Sequence, residues 1–190
     1  MENHVRKLRM FNIVSLDGFF SDGHGDMSWA HNQDAEWNAF TQENACSGGE
    51  LVFGRKTYDL MASFWPTPQA AQMMPEVATG INQSPKVVFS RTLAKASWNN
   101  TRLITSDIEA AVKKLKKEPG PSLVVMGSGE IVSQLASAGL IDEFQIVVHP
   151  LVLGGGRTLF EGVRQKFALR PVNSRTFKNG NVLLRYEPAA

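Results

Sequence analysis

The sequence predicts a three-layer α/β fold, in which helices cover both faces of a mainly parallel sheet that ends in an antiparallel C-terminal hairpin. Short apolar runs alternate with helical segments along most of the chain. Residues 122–126 (SLVVM) are apolar enough to be a central strand covered on both faces. Two β-type segments, 167–177 and 182–186, flank Asn179-Gly180, a strong hairpin signal.

The first half of the chain predicts two strand and helix units. Residues 5–14 form a strand that stops at a turn, Ser15-Leu16-Asp17-Gly18. A loop over 21–26 precedes a helix over 34–46. The second unit is a strand over 50–54 followed by a helix over 55–63.

The second half continues the alternation and then changes to β structure. The prolines at 66, 68 and 75 predict an irregular or briefly helical segment. The remaining predicted elements, in order, are strand 86–89, short strand 103–104, amphipathic helix 107–117, strand 122–126, a glycine turn, a helix to residue 138, strand 144–149, loop 154–156 and the hairpin.

Length and composition predict one domain, spanning residues 1–190, with no linker. The net charge of +2 argues against a nucleic-acid partner. Cys46 is the only cysteine, which excludes an internal disulfide, and we expect it to be a buried filler.

Targeting and metal signals are missing from the sequence. The first residues show no apolar signal segment and no run is long enough to span a bilayer, so we expect a cytoplasmic protein with no membrane partner. The four histidines show no metal-binding spacing, and we expect no metal.

Candidate ligand-binding residues follow four predicted strands. Ligands of open α/β sheets bind beyond the carboxyl ends of the strands. The four places are Asp17-Gly18, Gly54-Arg55-Lys56-Thr57, Ser90-Arg91 and Gly127-Ser128-Gly129-Glu130. The last is a glycine turn opening a helix, whose free N–H groups suit a pyrophosphate, although such glycines often serve only a tight turn. Arg55 or Arg91 could neutralise a ribose 2′-phosphate. Together the sites favour a phosphorylated dinucleotide.

Three of these motifs, read as LVFGRKT, VVFSRTL and VVMGSGEIV, resemble the cofactor-binding series of dihydrofolate reductases. The segment IDEFQIVVHPLVLGGGRTLFEG, together with SLDG, resembles the reductase domain of the riboflavin-biosynthesis deaminase-reductase and its stand-alone relatives, which share the dihydrofolate reductase-like fold. The resemblance covers nearly the whole chain.

The resemblance implies a reductase that uses NADPH, a small-molecule substrate of the heterocyclic or ribosylamino class, and a homodimer. It implies a cofactor site in two parts. The adenosine phosphates would lie near Gly54, Arg55, Lys56, Thr57, Ser90 and Arg91, and the pyrophosphate near Gly127, Ser128, Gly129, Glu130 and Ile131.

The substrate side leaves alternatives open. Asp34 matches the acidic residue that recognises the pterin in dihydrofolate reductases, yet a helix N-terminal carboxylate would also sit there. Asp17, beside Gly18, is a second candidate acid or an ordinary turn former. Trp29 is a candidate to stack on a flat substrate, although aromatic residues at helical spacing more often belong to the core.

Three readings of function therefore compete. The leading one is a riboflavin-pathway-like reductase, and reduction of dihydrofolate itself is the enzymatic alternative. The third hypothesis is a nucleotide-binding module without productive catalysis. If all three fail, the remaining hypothesis is a protein that binds no nucleotide.

Overall fold

The computed structural model describes residues 5–30 and 34–189. The strands within this part of the chain are β1 (Leu8–Ser15), β2 (Phe19–Ser21), β3 (Glu50–Gly54), β4 (Lys86–Phe89), β5 (Thr101–Ile104), β6 (Leu123–Met126), β7 (Glu143–His149), β8 (Arg157–Thr158), β9 (Leu169–Thr176) and β10 (Val182–Pro188). The helices are α1 (Ala35–Ala45), α2 (Arg55–Phe64), α3 (Pro68–Met73), α4 (Pro75–Gln83), α5 (Ile108–Leu115) and α6 (Gly129–Ser137).

One eight-stranded sheet runs through the molecule in the order β5-β4-β3-β6-β1-β7-β10-β9. The six strands from β5 to β7 are parallel, and β10 and β9 add the antiparallel hairpin at one edge. This confirms the predicted fold class. The short strands β2 and β8 form a separate two-stranded sheet.

Helices cover both faces of the large sheet. Successive strand residues point in opposite directions, so the apolar strands present side chains to be buried on each face. Leu8 and Met10 of β1 pack in one cluster with residues of α5 and α6. Phe11 packs in a second cluster with Trp37 and Phe40 of α1. Burying such side chains stabilises the fold by about 1.5–3 kcal/mol each. Strand β6 is buried at Leu123, Val124 and Val125 between β3 and β1, as its apolar run predicts.

The proline-rich segment differs from the prediction. We predicted irregular or briefly helical chain, but α4 follows α3 and contributes Val77 and Ile81 to the core. Pro68 and Pro75 each open a helix. Proline is favoured there, because the first N–H of a helix has no intrahelical partner to lose.

Two further predictions need correction. Cys46 is exposed at the C-terminal cap of α1, so the buried-filler interpretation was wrong. The strands β2 and β8 were missed because two or three residues are too few to show a period. No helix within the described residues combines the length and apolar character that a membrane crossing requires.

Lys86, the first residue of β4, is a buried cation. Its Nζ donates hydrogen bonds to the carbonyl oxygens of Asn82 (3.0 Å) and Ser84 (2.6 Å), and lies 4.6 Å from the centre of the Trp98 ring. No carboxylate pairs with it among the described residues. Burial lowers the pKa of Lys86 to about 8.

Stability should therefore rise with pH in the alkaline range. Between pH 8 and the ordinary lysine pKa of 10.5, the folded protein has released a proton that the unfolded chain still holds. The free energy of unfolding should increase across this window by at most about 3 kcal/mol, and Lys86→Met should remove the increase. Urea denaturation at several pH values, with exposed Lys95→Met as the matched control, measures this. Parallel pH curves for the wild type and Lys86→Met would contradict the expectation.

Candidate active site

The carboxyl ends of five parallel strands form one rim of the sheet. In the strand order, the residues that end or follow β4, β3, β6, β1 and β7 are Ser90, Gly54, Gly127, Asp17 and His149. Neighbouring strands are about 5 Å apart, so the rim from β4 to β1 spans roughly 15 Å. All four sequence-predicted places lie on this rim.

The starts of α2 and α6 are in close contact there. A Cβ atom added to Gly54 would lie 2.2 Å from the Oγ of Ser128 and 3.1 Å from the Cδ1 of Ile131. A Cβ atom added to Gly127 would lie 2.9 Å from the Cγ2 of Thr57. The two strand-to-helix turns therefore touch only because both positions lack a side chain.

The start of α6 presents backbone N–H groups that have no acceptor within the helix. Gly127 (φ +59°) and Ser128 (φ +54°) both adopt left-handed backbone, and the Ser128 side chain does not cap the helix. The first N–H groups of a helix have no intrahelical acceptor and carry the positive end of its dipole. A left-handed conformation at a non-glycine residue costs about 1–2 kcal/mol. Strain of this kind is often kept at binding sites.

A hydrogen bond joins the ends of β3 and β4. Arg55 Nη1 donates to the Thr92 Oγ1 at 2.5 Å, and the guanidinium also lies 3.4 Å from the Asp59 carboxylate. The Ser90 Oγ accepts from the N–H groups of Thr92 (3.2 Å) and Leu93 (3.0 Å), which fixes the turn after β4. Arg55 is thus joined to the turn at Ser90 by a hydrogen bond, and the neighbouring Gly54 contacts Ser128. These residues form one continuous surface.

The residues present fit a phosphorylated dinucleotide. The close turns leave backbone free to approach a pyrophosphate, and the exposed side chains of Arg55, Lys56 and Arg91 supply cations beside it. The side chains of two predicted residues, Glu130 and Ile131, are not suited to bind a phosphate. Glu130 places an exposed carboxylate in the first turn of α6, so only its N–H suits an anion, and the Ile131 side chain is buried.

Asp17 anchors one loop to another. Its Oδ1 accepts from the Ser15 hydroxyl (2.6 Å) and the Leu153 N–H (3.1 Å), and its Oδ2 accepts from the Gly154 N–H (2.8 Å). The Ser15 hydrogen bond, with the two backbone N–H groups, holds the pKa of Asp17 below its usual range. These contacts favour the turn role, since the carboxylate is ionised at neutral pH and fully engaged. Gly18 follows at φ +88° in the same turn.

Asp34 is the N-cap of α1. Its Oδ1 accepts from the Glu36 N–H at 2.9 Å, as expected of a helix-capping carboxylate. Its Oδ2 is buried and has no hydrogen-bond partner among residues 5–30 and 34–189. A carboxylate with one oxygen in a cap and the other buried can do more than cap, so both interpretations of Asp34 stay open.

An aromatic wall lies beside the ends of β1 and β7. Trp29 and Trp37 pack edge-on against the His149 ring at 5.6 and 6.1 Å between centroids, and Trp37 also contacts Phe177 at 5.2 Å. Trp37 and Phe40 are buried core residues, whereas Trp29 is partly exposed and is the one placed to meet a ligand. Sequence reasoning missed His149, although its position at the end of β7 satisfies the same strand-end rule.

Comparison with known proteins identifies the family of this chain. The model of the RibD C-terminal domain family matches residues 6–183. The uncharacterized protein YyaP of Bacillus subtilis (strain 168) is 32% identical over 189 residues, covering 98% of each chain.

Two solved structures share the fold. A proposed riboflavin biosynthesis protein from Shewanella sp. PV-4 superposes with a TM-score of 0.74 at 22% identity, covering 97% of this chain and 99% of that one. A Thermotoga maritima diaminohydroxyphosphoribosylaminopyrimidine deaminase/5-amino-6-(5-phosphoribosylamino)uracil reductase gives a TM-score of 0.71 at 16% identity, covering 97% of this chain and 57% of that longer one. On the match of the family model to nearly its whole length, this chain belongs to the RibD C-terminal domain family.

Proposed function

We propose that this protein is an NADPH-dependent reductase of a heterocyclic or ribosylamino substrate, similar in reaction to 5-amino-6-(5-phosphoribosylamino)uracil reduction. The observation that carries the proposal is the convergence of the β3, β4 and β6 ends. Gly54 lies against Ser128 and Arg55 donates to Thr92, so the phosphate-binding groups share one surface. Family membership supports the same reading.

The cofactor would be held by its phosphates. The N–H groups at the start of α6 suit the pyrophosphate, and Arg55 and Arg91 suit a 2′-phosphate on the adenosine ribose. Bound NADPH supplies a hydride, and reduction of a carbon–nitrogen double bond also requires a proton on nitrogen.

The substrate would lie between the rim and α1. Trp29 offers a partly exposed ring for a flat heterocycle, and Asp34 offers a carboxyl group at the start of the helix. The free oxygen of Asp34 would hold a proton near the substrate nitrogen, while its other oxygen stays in the cap. Asp17 would shape the site through the loop at Leu153 and Gly154 rather than exchange protons.

Dihydrofolate reduction is the second candidate, because Asp34 stands where a pterin-recognising carboxylate would. Action as a cytoplasmic homodimer on a small molecule, with no nucleic-acid, membrane or metal partner, stays part of the proposal.

The first test is cofactor binding and turnover. NADPH should bind more tightly than NADH, and Arg55→Ala and Arg91→Ala should each raise the NADPH Kd about tenfold or more with little effect on NADH, because each removes a charge-assisted contact to the 2′-phosphate. Calorimetry measures binding, and NADPH oxidation with a ribosylaminopyrimidine or with dihydrofolate measures turnover. Binding without oxidation of either substrate would indicate a non-catalytic nucleotide-binding module, and no binding would overturn the proposal.

The second test uses two glycines with the same backbone. Gly127 (φ +59°) lies at the rim, and Gly139 (φ +64°) lies beyond the end of α6 with no atom within 4 Å of an added Cβ. Alanine at either position should cost about 1–2 kcal/mol of stability through backbone strain. Only Gly127→Ala also meets Thr57, and it should weaken NADPH binding about tenfold or more. Equal NADPH affinity in the two variants would place the pyrophosphate elsewhere.

The third test separates the two carboxylates. Asp34→Asn keeps a capping side chain but removes the acid, so kcat should fall about a hundredfold while NADPH affinity and stability change little. Asp17→Asn removes one of the two oxygens that accept the Leu153 and Gly154 N–H groups. The free energy of unfolding should therefore fall, while kcat should change little. Steady-state kinetics and urea denaturation of both variants give the answer, and the opposite pattern would make Asp17 the proton donor.

A further inference from the structure

A polar pocket lies at the end of the sheet opposite the rim. It has a volume of about 340 Å³ and is lined by Arg9, Arg175, Arg185, Glu43, Asn44 and Asn173 among others. Arg9 is the second residue of β1, six residues before Ser15. At about 3.3 Å per residue, the pocket is therefore roughly 20 Å from the rim along that strand.

Strand register brings the arginines together. Arg9 lies opposite Glu143 of β7, Arg185 lies between Gln145 of β7 and Asn173 of β9, and Arg175 lies opposite Leu183. Opposed residues in a sheet point to the same face. Here it is the face covered by α1, whose Phe40 and Glu43 also line the pocket.

Two of these arginines have no partner. Within the described part of the chain, neither the Arg9 nor the Arg185 side chain makes a hydrogen bond or ion pair, although both are half-buried. The Nε of Arg185 is completely buried without an acceptor. A buried charged donor without an acceptor is costly, and buried groups of this kind in native proteins normally have a partner.

Buried arginine is fully paired elsewhere in this chain. Arg6 is buried and donates to the carbonyl oxygen of Pro121 and to the carboxylate of Glu50, both at 2.5 Å. The lack of side-chain partners for Arg9 and Arg185 is therefore specific to this pocket, since buried Arg6 has partners.

Among the described residues, the neighbouring acids make no direct ion pair with Arg9 or Arg185. Glu36 is 3.0 Å from Arg175, and Glu143 accepts a hydrogen bond from the Gln145 amide at 2.6 Å. Glu43 is exposed and makes no ion pair with a described residue. The lining therefore presents two unpaired guanidinium groups, those of Arg9 and Arg185, and one unpaired carboxylate, that of Glu43, because Arg175 is already paired with Glu36. The side-chain amides of Asn44 and Asn173 add neutral donors.

We propose that this pocket is a binding site for a small oxyanion, a phosphate or phosphate monoester, held between Arg9 and Arg185. Guanidinium groups present forked donors that match phosphate oxygens in pairs. The side-chain amide groups of Asn173 on β9 and Asn44 on α1 supply further donors. The site is separate from the proposed cofactor rim and does not depend on it.

Calorimetric titration of the full chain with inorganic phosphate, in chloride buffer at constant ionic strength, tests the proposal. Arg9→Gln and Arg185→Gln should each raise the phosphate Kd about tenfold or more. Arg170→Gln is the matched control, because Arg170 lies on the same hairpin but pairs with Glu187 at the surface, and its phosphate binding should equal that of the wild type. Acetate in place of phosphate should bind more weakly, since it offers fewer oxygens and less charge.

A fold control accompanies the titration. Because the Arg185 guanidinium bonds no described residue, Arg185→Gln should not lower the unfolding midpoint in chloride. Phosphate should raise the midpoint more in the wild type and Arg170→Gln than in Arg9→Gln and Arg185→Gln.

Three results would overturn the proposal. One is unchanged phosphate binding in Arg9→Gln and Arg185→Gln. Another is loss of all phosphate binding in Arg55→Gln, which would place the anion at the rim. The third is absence of phosphate binding by the wild type. In that case, a change of oligomeric state in Arg185→Gln by sedimentation would show that the arginines meet carboxylates of a second copy.

Discussion

The contact between two strand-to-helix turns is the constraint on which the candidate active site depends. Gly54 meets Ser128 and Gly127 meets Thr57 at distances that leave no room for a Cβ atom. This contact sets the spacing of α2 and α6, and thereby brings the α6 N–H groups and Arg55 to one surface. The parallel pairing of β3 with β6 fixes the turns at equal height, so the sheet itself enforces the approach. Side chains at the rim can vary more freely than these two glycines.

The small sheet of β2 and β8 adds a cover to the same helix start. A Cβ atom on Gly129 would lie 2.8 Å from the Phe20 ring and 3.2 Å from the Thr158 carbonyl oxygen. The loops that carry these strands are also joined by Asp17, which binds the N–H groups of Leu153 and Gly154. One carboxylate therefore stabilises the arrangement of two otherwise separate loops, which is a structural reason for an acidic residue at this turn.

Much of the fold could be predicted from the sequence, because its central strands are apolar runs that end in glycine or a hydroxyl residue. The strand-end rule likewise predicted that the residues after four strands, at Gly18, Gly54, Ser90 and Gly127, share one rim. The remainder depends on tertiary contacts. Pro75 begins a helix that only packing of Val77 and Ile81 makes stable, and β2 and β8 are too short to show a pattern. Arg9 and Arg185 come close together only through the register of β1, β7 and β10. No local signal in the sequence encodes that register.

The strand order also limits where proton transfer can occur. Strand β1 lies between β6, which leads into the α6 donors, and β7, which ends at His149. A dinucleotide held at α6 would therefore direct its reactive end towards the end of β1 and the aromatic wall of Trp29 and Trp37 against His149. On one side of that position Asp17 is held ionised by its hydrogen bonds. Asp34, whose Oδ2 accepts no hydrogen bond from any described residue, lies on the α1 side. Because a proton donor needs an oxygen that is free to carry the proton, the α1 side is where the substrate nitrogen must lie if a side chain of this protein protonates it.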